Sequence, residues 1–306
     1  MNFGIQISDF ATDQLLLTTY IKKNTFTARM ALFSSSKNQN GEMSFLGHLE
    51  VLRWHIFRSA VVVMTLAIVL FFFKEFLFDS VLLAPKNADF ITYRALCSLS
   101  HRVGLGEDLC ITVLPFTLIS TELSAQFTTH MWVAFIAGFV VAFPYIIWEL
   151  LRFIKPALNT KEKKYARGLV FYTSFLFLSG VLFGYYVITP MTVNFLGGYQ
   201  VSAQVSNTIT LDSFISTVTT MTLISGIVFE LPILVYFLTK IGILTSKFMR
   251  TYRRHAVVVI LIVAAVITPT SDATTLIMVA LPLYFLYEIS IFVSAYVNRG
   301  KTISAD

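Results

Sequence analysis

Four stretches of this chain, Phe57–Phe78, Met131–Leu151, Gly168–Ile188 and Phe214–Leu238, are almost unbroken apolar sequence. Each has the length, about 20 residues, that a helix needs to cross a hydrocarbon core of roughly 30 Å. A soluble domain carries roughly 25% charged residues to face water. Here 13% are charged, 56% are hydrophobic and the mean hydropathy is +0.73. Most of the surface therefore meets something other than water. A water-soluble enzyme, a disordered protein and a nucleic-acid-binding domain are poor candidates. The last third is interrupted: His255–Thr268 is apolar but short, a polar Thr-Pro-Thr-Ser-Asp follows, and Ala273–Val297 is apolar again. Pro269 and Asp272 are helix breakers, so this region reads as two helices joined by a tight turn. The first of these reaches only about 20 Å at 1.5 Å per residue, which implies a thinned membrane or protein cover. The expected fold is an all-α integral membrane protein with six transmembrane helices. No internal repeat is visible, nor the paired broken helices of inverted-repeat transporters.

The basic residues orient these spans. The net charge of +6 reads as the Lys and Arg excess that membrane proteins keep on one side, not as a nucleic-acid footprint. Lys and Arg number six in 1–58, six in 152–167, five in 240–254 and two in 297–306. The intervening connections hold three in 79–127 and none in 191–211 or 268–273, with Lys74 at the outer end of the first span. The positive-inside rule then puts both termini in the cytoplasm, consistent with an even number of spans.

Residues 1–42 differ from the rest. Leu15–Ile21 is too short to span, no cleavable signal pattern follows it, and Ser34–Gly41 is a polar linker. We expect 1–42 to be a disordered or dispensable extension, with Met43 an alternative start. In 43–56, Phe45, Leu49, Leu52 and Ile56 recur on one helical face, which predicts a short amphipathic helix on the cytoplasmic membrane surface. Glu50 and Arg53 lie near enough on it to pair. The six-helix domain is then 57–299, and 300–306 a cytoplasmic tail.

No nucleotide-binding glycine loop, His-x-x-x-His pair or Gly-x-Ser-x-Gly elbow is present, so nothing supports an enzyme, a cofactor or a metal. Cys97 and Cys110, with His101, offer metal-ligand types, but an outer, oxidising location favours a disulfide over zinc. Glu162 stands alone among Lys161, Lys163 and Lys164, after the helix-breaking Pro156. Glu230 lies within the fourth span, ten residues from Lys240, and Glu288 is similarly deep in the sixth. An ionisable group at that depth costs on the order of 3 kcal/mol and should face protein or water. Pro232 and Pro282 can kink these helices, Pro85, Pro144, Pro156, Pro232 and Pro269 are expected to shape the backbone, and Glu288 is expected to be structural, a hydrogen-bonded link between helices. One function for Glu230 and Glu288 would be the relay of a proton-coupled small-solute transporter.

The segments Gly47–Arg53, Phe143–Leu158, Phe229–Pro232, Ile267–Pro269 with Asp272, and Leu281–Glu288, in this order, resemble TatC, the multi-span subunit of the twin-arginine protein translocase. The resemblance runs from Met43 to about Arg299. It implies a curved six-helix fold with the last two helices short, placed in the bacterial cytoplasmic (inner) membrane. It also implies binding of the paired-arginine signal peptides of folded proteins, export driven by the proton-motive force, and self-association in a multi-subunit complex. The family's loop carboxylate falls on Glu162. Its second carboxylate falls on Val51, so Glu50 is the nearest substitute; Arg53 and Phe153 belong to the same matched motifs. The resemblance assigns Glu230, with Thr268 and Asp272, to contact with single-span subunits of the TatA and TatB type. The family's polar position after that aspartate is here Leu276.

Overall fold

The computed structural model describes residues 45–104, 106, 110–111, 114, 116–154, 160–200, 202, 207–268 and 273–302. The chain divides into two compact units, Met1–Arg53 and Trp54–Asp306. Of the first, the described part is the start of α1, which runs as one helix over Phe45–Phe71. The amphipathic stretch and the first span are thus one element with no boundary at residue 56. The span also stops seven residues before the expected Phe78: the chain turns at Phe72 and Phe73, then forms a π-helical segment, Phe76–Leu82, and a short 3-10 turn, Ala84–Lys86, with Pro85 in its first turn.

Helix α2, Ile91–Val103, lies between the first two spans and ends where Gly104 takes φ +80°, a left-handed turn that glycine adopts without a Cβ clash. The 84–110 region is tied down at several points. Cys97 and Cys110 are joined by a disulfide, and the Ser100 hydroxyl donates to the Gly106 carbonyl at 2.8 Å. The Tyr93 hydroxyl donates to the carbonyls of Pro85 and Pro190 at 3.0 and 3.1 Å. Its burial pushes the phenol well above the ordinary tyrosine range. Two three-residue strands, β1 (Thr117–Ile119) and β2 (Thr208–Thr210), pair in parallel. The Asn207 side-chain amide, just before β2, donates to the carbonyls of Gly197 and Tyr199. An all-helical reading has no place for this pair, which joins two connections far apart in sequence.

Helix α3, Ala125–Ile154, keeps Pro144 inside an unbroken helix. Helix α4, Thr160–Phe183, passes through a π-helical segment, Gly184–Ile188, into α5, Thr189–Gly198. Helix α6, Leu211–Phe229, and α7, Leu231–Lys240, are separated by a single turn residue, Glu230. The short α8, Ser246–Thr251, is capped by the Thr245 hydroxyl, and α9 is Arg253–Ile267. Helix α10, Ala273–Thr302, contains 30 residues with Pro282 inside it. The expectation that the last two helices are both short therefore holds for α9, with 15 residues, and fails for α10. Pro282 does not break it, so the apolar run winds on through Thr302 as one helix.

Among the described residues, five helical segments are long and apolar enough to cross a membrane: Leu49–Phe71, Ala125–Ile154, Gly168–Gly198, Leu211–Lys240 and Leu276–Asn298. Helix α4 packs along α6 and against α3, α10 along α7, and α9 against α10. Small residues permit the closest approaches. A Cβ on Gly138 of α3 would lie 2.7 Å from the Ala67 backbone nitrogen of α1, and one on Gly180 of α4 would lie 2.7 Å from Phe229 of α6. Phe177, fully buried, stacks on Phe143 at 3.5 Å between ring centroids. One apolar cluster (Ile188, Met221, Ile260, Ala264, Ile267, Val279, Leu283) joins α6, α9 and α10. A second, around Phe214, Ile215 and Val218, collects Leu77, Leu82, Phe116 and Val193.

Candidate functional site

Glu230 sits where the fourth span breaks. Pro232 lacks the N–H that would bond Val228 and its ring crowds that carbonyl, so α6 closes with the Glu230 N–H on Ile227 and Val228 and α7 begins one residue later. The sequence marks Pro232 as a kink within one span; the structure has a full break at Glu230. The Glu230 carboxyl meets the backbone of Phe177, yet Oε1 is buried and has no hydrogen-bond partner among the described residues. A buried acceptor without a donor is costly by about 1–3 kcal/mol. It is therefore a group for which an incoming polar side chain would be favourable.

Glu288 has a different setting. It forms an ion pair with Arg253 at 2.6 Å and accepts from the Tyr284 hydroxyl at 3.1 Å. Its carboxylate is engaged as a clasp between the start of α9 and the middle of α10. A relay through Glu230 and Glu288 would require a free second carboxylate, and this one is held.

A third carboxylate was not singled out by the sequence analysis. Glu149, near the end of α3, is 1% exposed. It accepts from the His55 ring N–H of α1 and from the Tyr145 hydroxyl at 3.1 Å, with the Arg152 guanidinium 3.9 Å away. The His55 ring in turn meets the ring of Phe153 edge-on at 6.0 Å. Like Glu230, Glu149 is an acid inside an apolar run. Its place in the last turns of the helix disguised it as an end-of-span charge.

The other anticipated residues distribute as follows. Glu50 and Arg53 are exposed on the first turns of α1 and make no ion pair with one another. Phe153 is half-buried in the last turn of α3. Glu162 falls in the first turn of α4, its side chain outside the described residues; Pro156, Pro269 and Asp272 also lie outside them. Thr268 is buried at the end of α9 and donates to the Ala264 carbonyl at 2.8 Å. Cys97 and Cys110, with His101 Nε2 3.9 Å from Cys110 Sγ, are consumed by their own bond, and a disulfide sulfur has no thiolate to offer a cation.

Comparison with known proteins agrees with this layout. The family model described as Sec-independent protein translocase protein (TatC) matches residues 47–282. A protein of that name from Blattabacterium sp. subsp. Periplaneta americana is 38% identical over 270 residues, covering 87% of this chain and all of the relative. Another, from Koribacter versatilis, is 34% identical over 262 residues, covering 85% of this chain and 89% of the relative. Among solved structures, a crystal structure of the twin arginine translocase receptor TatC superposes with a TM-score of 0.60 at 26% identity. It covers 82% of this chain and 99% of that one. A family model spanning most of the residues, a relative matched end to end and the shared helical fold together make this chain a member of the TatC family, a membrane component of the Sec-independent protein translocase.

Proposed function

We propose that this protein binds paired-arginine signal peptides at its cytoplasmic side and serves as the scaffold on which single-span TatA- and TatB-type subunits assemble for proton-motive-force-driven export. In this reading the chain crosses the bacterial inner membrane six times with both termini inside, α9 being the thin fifth crossing. The charge partition supports that orientation. Glu162, assisted by Glu50, Arg53 and Phe153, receives the peptide. A carboxylate and a guanidinium form two parallel hydrogen bonds that lysine cannot reproduce, and a lone acid among lysines selects a ligand that brings its own arginines. The apolar helix surfaces beside it suit the hydrophobic part of the peptide.

Partner docking falls to Glu230, with Thr268 and Asp272. The observation that carries this assignment is the orphaned Glu230 Oε1 at a helix break. A donor from a partner helix would satisfy it, an interaction worth about 0.6–2 kcal/mol in a membrane. That is enough to bias docking while leaving it reversible.

The recognition step is tested with purified chain and a fluorescent twin-arginine peptide. Glu162→Ala is expected to weaken binding about tenfold, as is exchange of both peptide arginines for lysine. Equal binding of both peptides, with Glu162 present or absent, would remove the recognition model.

A further inference from the structure

The inner ends of α1 and α3 carry the same spacing of two residue types: Trp54 precedes Arg58 by four positions, and Trp148 precedes Arg152 by four. Four residues apart on a helix is one face, so each helix offers an indole and a guanidinium side by side. Of the three tryptophans in the chain, two are used in this way, and both are exposed, at 54% and 44%. The two helices meet at this end through the contact of His55 with Glu149, one residue after Trp54 and one after Trp148. The Arg152 guanidinium lies over the Trp148 ring at 5.6 Å, Tyr145 meets Trp148 at 5.6 Å, and Trp54 meets Phe57 edge-on at 5.9 Å.

The positive charge here is only partly answered. Glu149 is the adjacent acid, but it is buried and already accepts from His55 and Tyr145, and Arg152 touches it only at 3.9 Å. Arg58 is exposed and forms no ion pair with any described residue. A guanidinium carries five donors, so most remain available toward the outside. Two arginines and a hydroxyl beside indole rings, at the ends of membrane-crossing helices, match the two parts of an anionic lipid. The guanidiniums suit a phosphodiester, and the indoles suit the glycerol and upper acyl region where aromatic belts lie. A free anion would leave the exposed rings uncovered.

We propose that Arg58 and Arg152, with Trp54, Tyr145 and Trp148, form a binding site for the phosphate headgroup of an anionic phospholipid in the groove between α1 and α3. The site does not depend on the signal-peptide reading. A lipid bound there bridges two helices that are otherwise joined at this end through the His55–Glu149 contact.

The test is lipid retention by the full-length protein, purified in mild detergent with equal amounts of phosphatidylglycerol and phosphatidylcholine and read by native mass spectrometry. The wild type is expected to retain phosphatidylglycerol in preference. Arg58→Gln and Arg152→Gln should each reduce that preference roughly fivefold, and the pair about thirtyfold. Arg250→Gln, an exposed arginine on α8, should leave it unchanged. Equal retention of both lipids by the wild type, a comparison that needs no variant, would overturn the proposal. So would a double variant that keeps the preference, or displacement of the lipid by millimolar inorganic phosphate, which would identify a site for free anions.

Discussion

At the residue scale, three membrane-embedded acids occur in similar apolar sequence and have unlike surroundings. Glu288 is paired with Arg253, Glu149 is fully hydrogen-bonded, and Glu230 keeps one oxygen unpartnered. Only the partners distinguish them, and those partners come from distant parts of the chain. Removing one member of a buried pair leaves the other desolvated and uncompensated. Glu149→Ala is therefore expected to cost on the order of 3 kcal/mol, seen as a lowered thermal midpoint of the purified protein. Glu149→Gln, which keeps one acceptor oxygen for one of these two donors, should lose less. An alanine variant as stable as the wild type would mean that the contact between α1 and α3 is idle. The depth of Glu230 and Glu288 was legible in the sequence because an acid in an apolar run is conspicuous. That Arg253, 35 positions away, answers one of them was not, since an ion pair across two helices leaves no local pattern.

At the element scale, apolar length located the membrane helices, because no other structure satisfies so long a run in lipid. The prolines marked where a helix could bend, but not which of them would break it. Prolines 144 and 282 sit inside continuous helices, whereas Pro232 coincides with a break at Glu230; the residue type is the same and the neighbours decide. The two π-helical segments likewise have no sequence signal. Helix contacts depend on small residues more finely still. A Cβ at Gly138 would press on backbone atoms of Ala67, at 2.7 Å from N and 2.9 Å from Cα, and backbone cannot swing aside. Gly138→Ala should cost about 2 kcal/mol as an overpacked contact between α3 and α1. Gly168→Ala, on α4 with nothing within 4 Å of the added atom, should instead stabilise by up to about 1 kcal/mol through helix propensity. Measured side by side in detergent, the two changes should move the thermal midpoint in opposite directions. A shift of the same sign in both would mean that α1 and α3 are not held at this distance.

At the scale of the whole molecule, the connections differ in kind. Those predicted to lie outside hold the disulfide, the parallel strand pair, and the Tyr93 bonds that reach Pro85 and Pro190. Those predicted to lie inside hold most of the positive charge. A disulfide persists in an oxidising compartment and is rare in the cytosol, so its place in the chain is a second argument for the topology, independent of the charge count. The charge partition puts 1–58 and 297–306 on one side only if an even number of crossings separates them, which requires α9 to cross with 15 residues, about 22 Å. Thiol chemistry on sealed cells tests this directly. A membrane-impermeant maleimide should label Cys97 and Cys110 only after an impermeant reductant has opened their bond. A cysteine introduced as Thr160→Cys should react only once the membrane is permeabilised. Labelling at 160 in intact cells, or a need to permeabilise before Cys97 reacts, would reverse the orientation and place Glu162 on the wrong side for a peptide arriving from the cytoplasm.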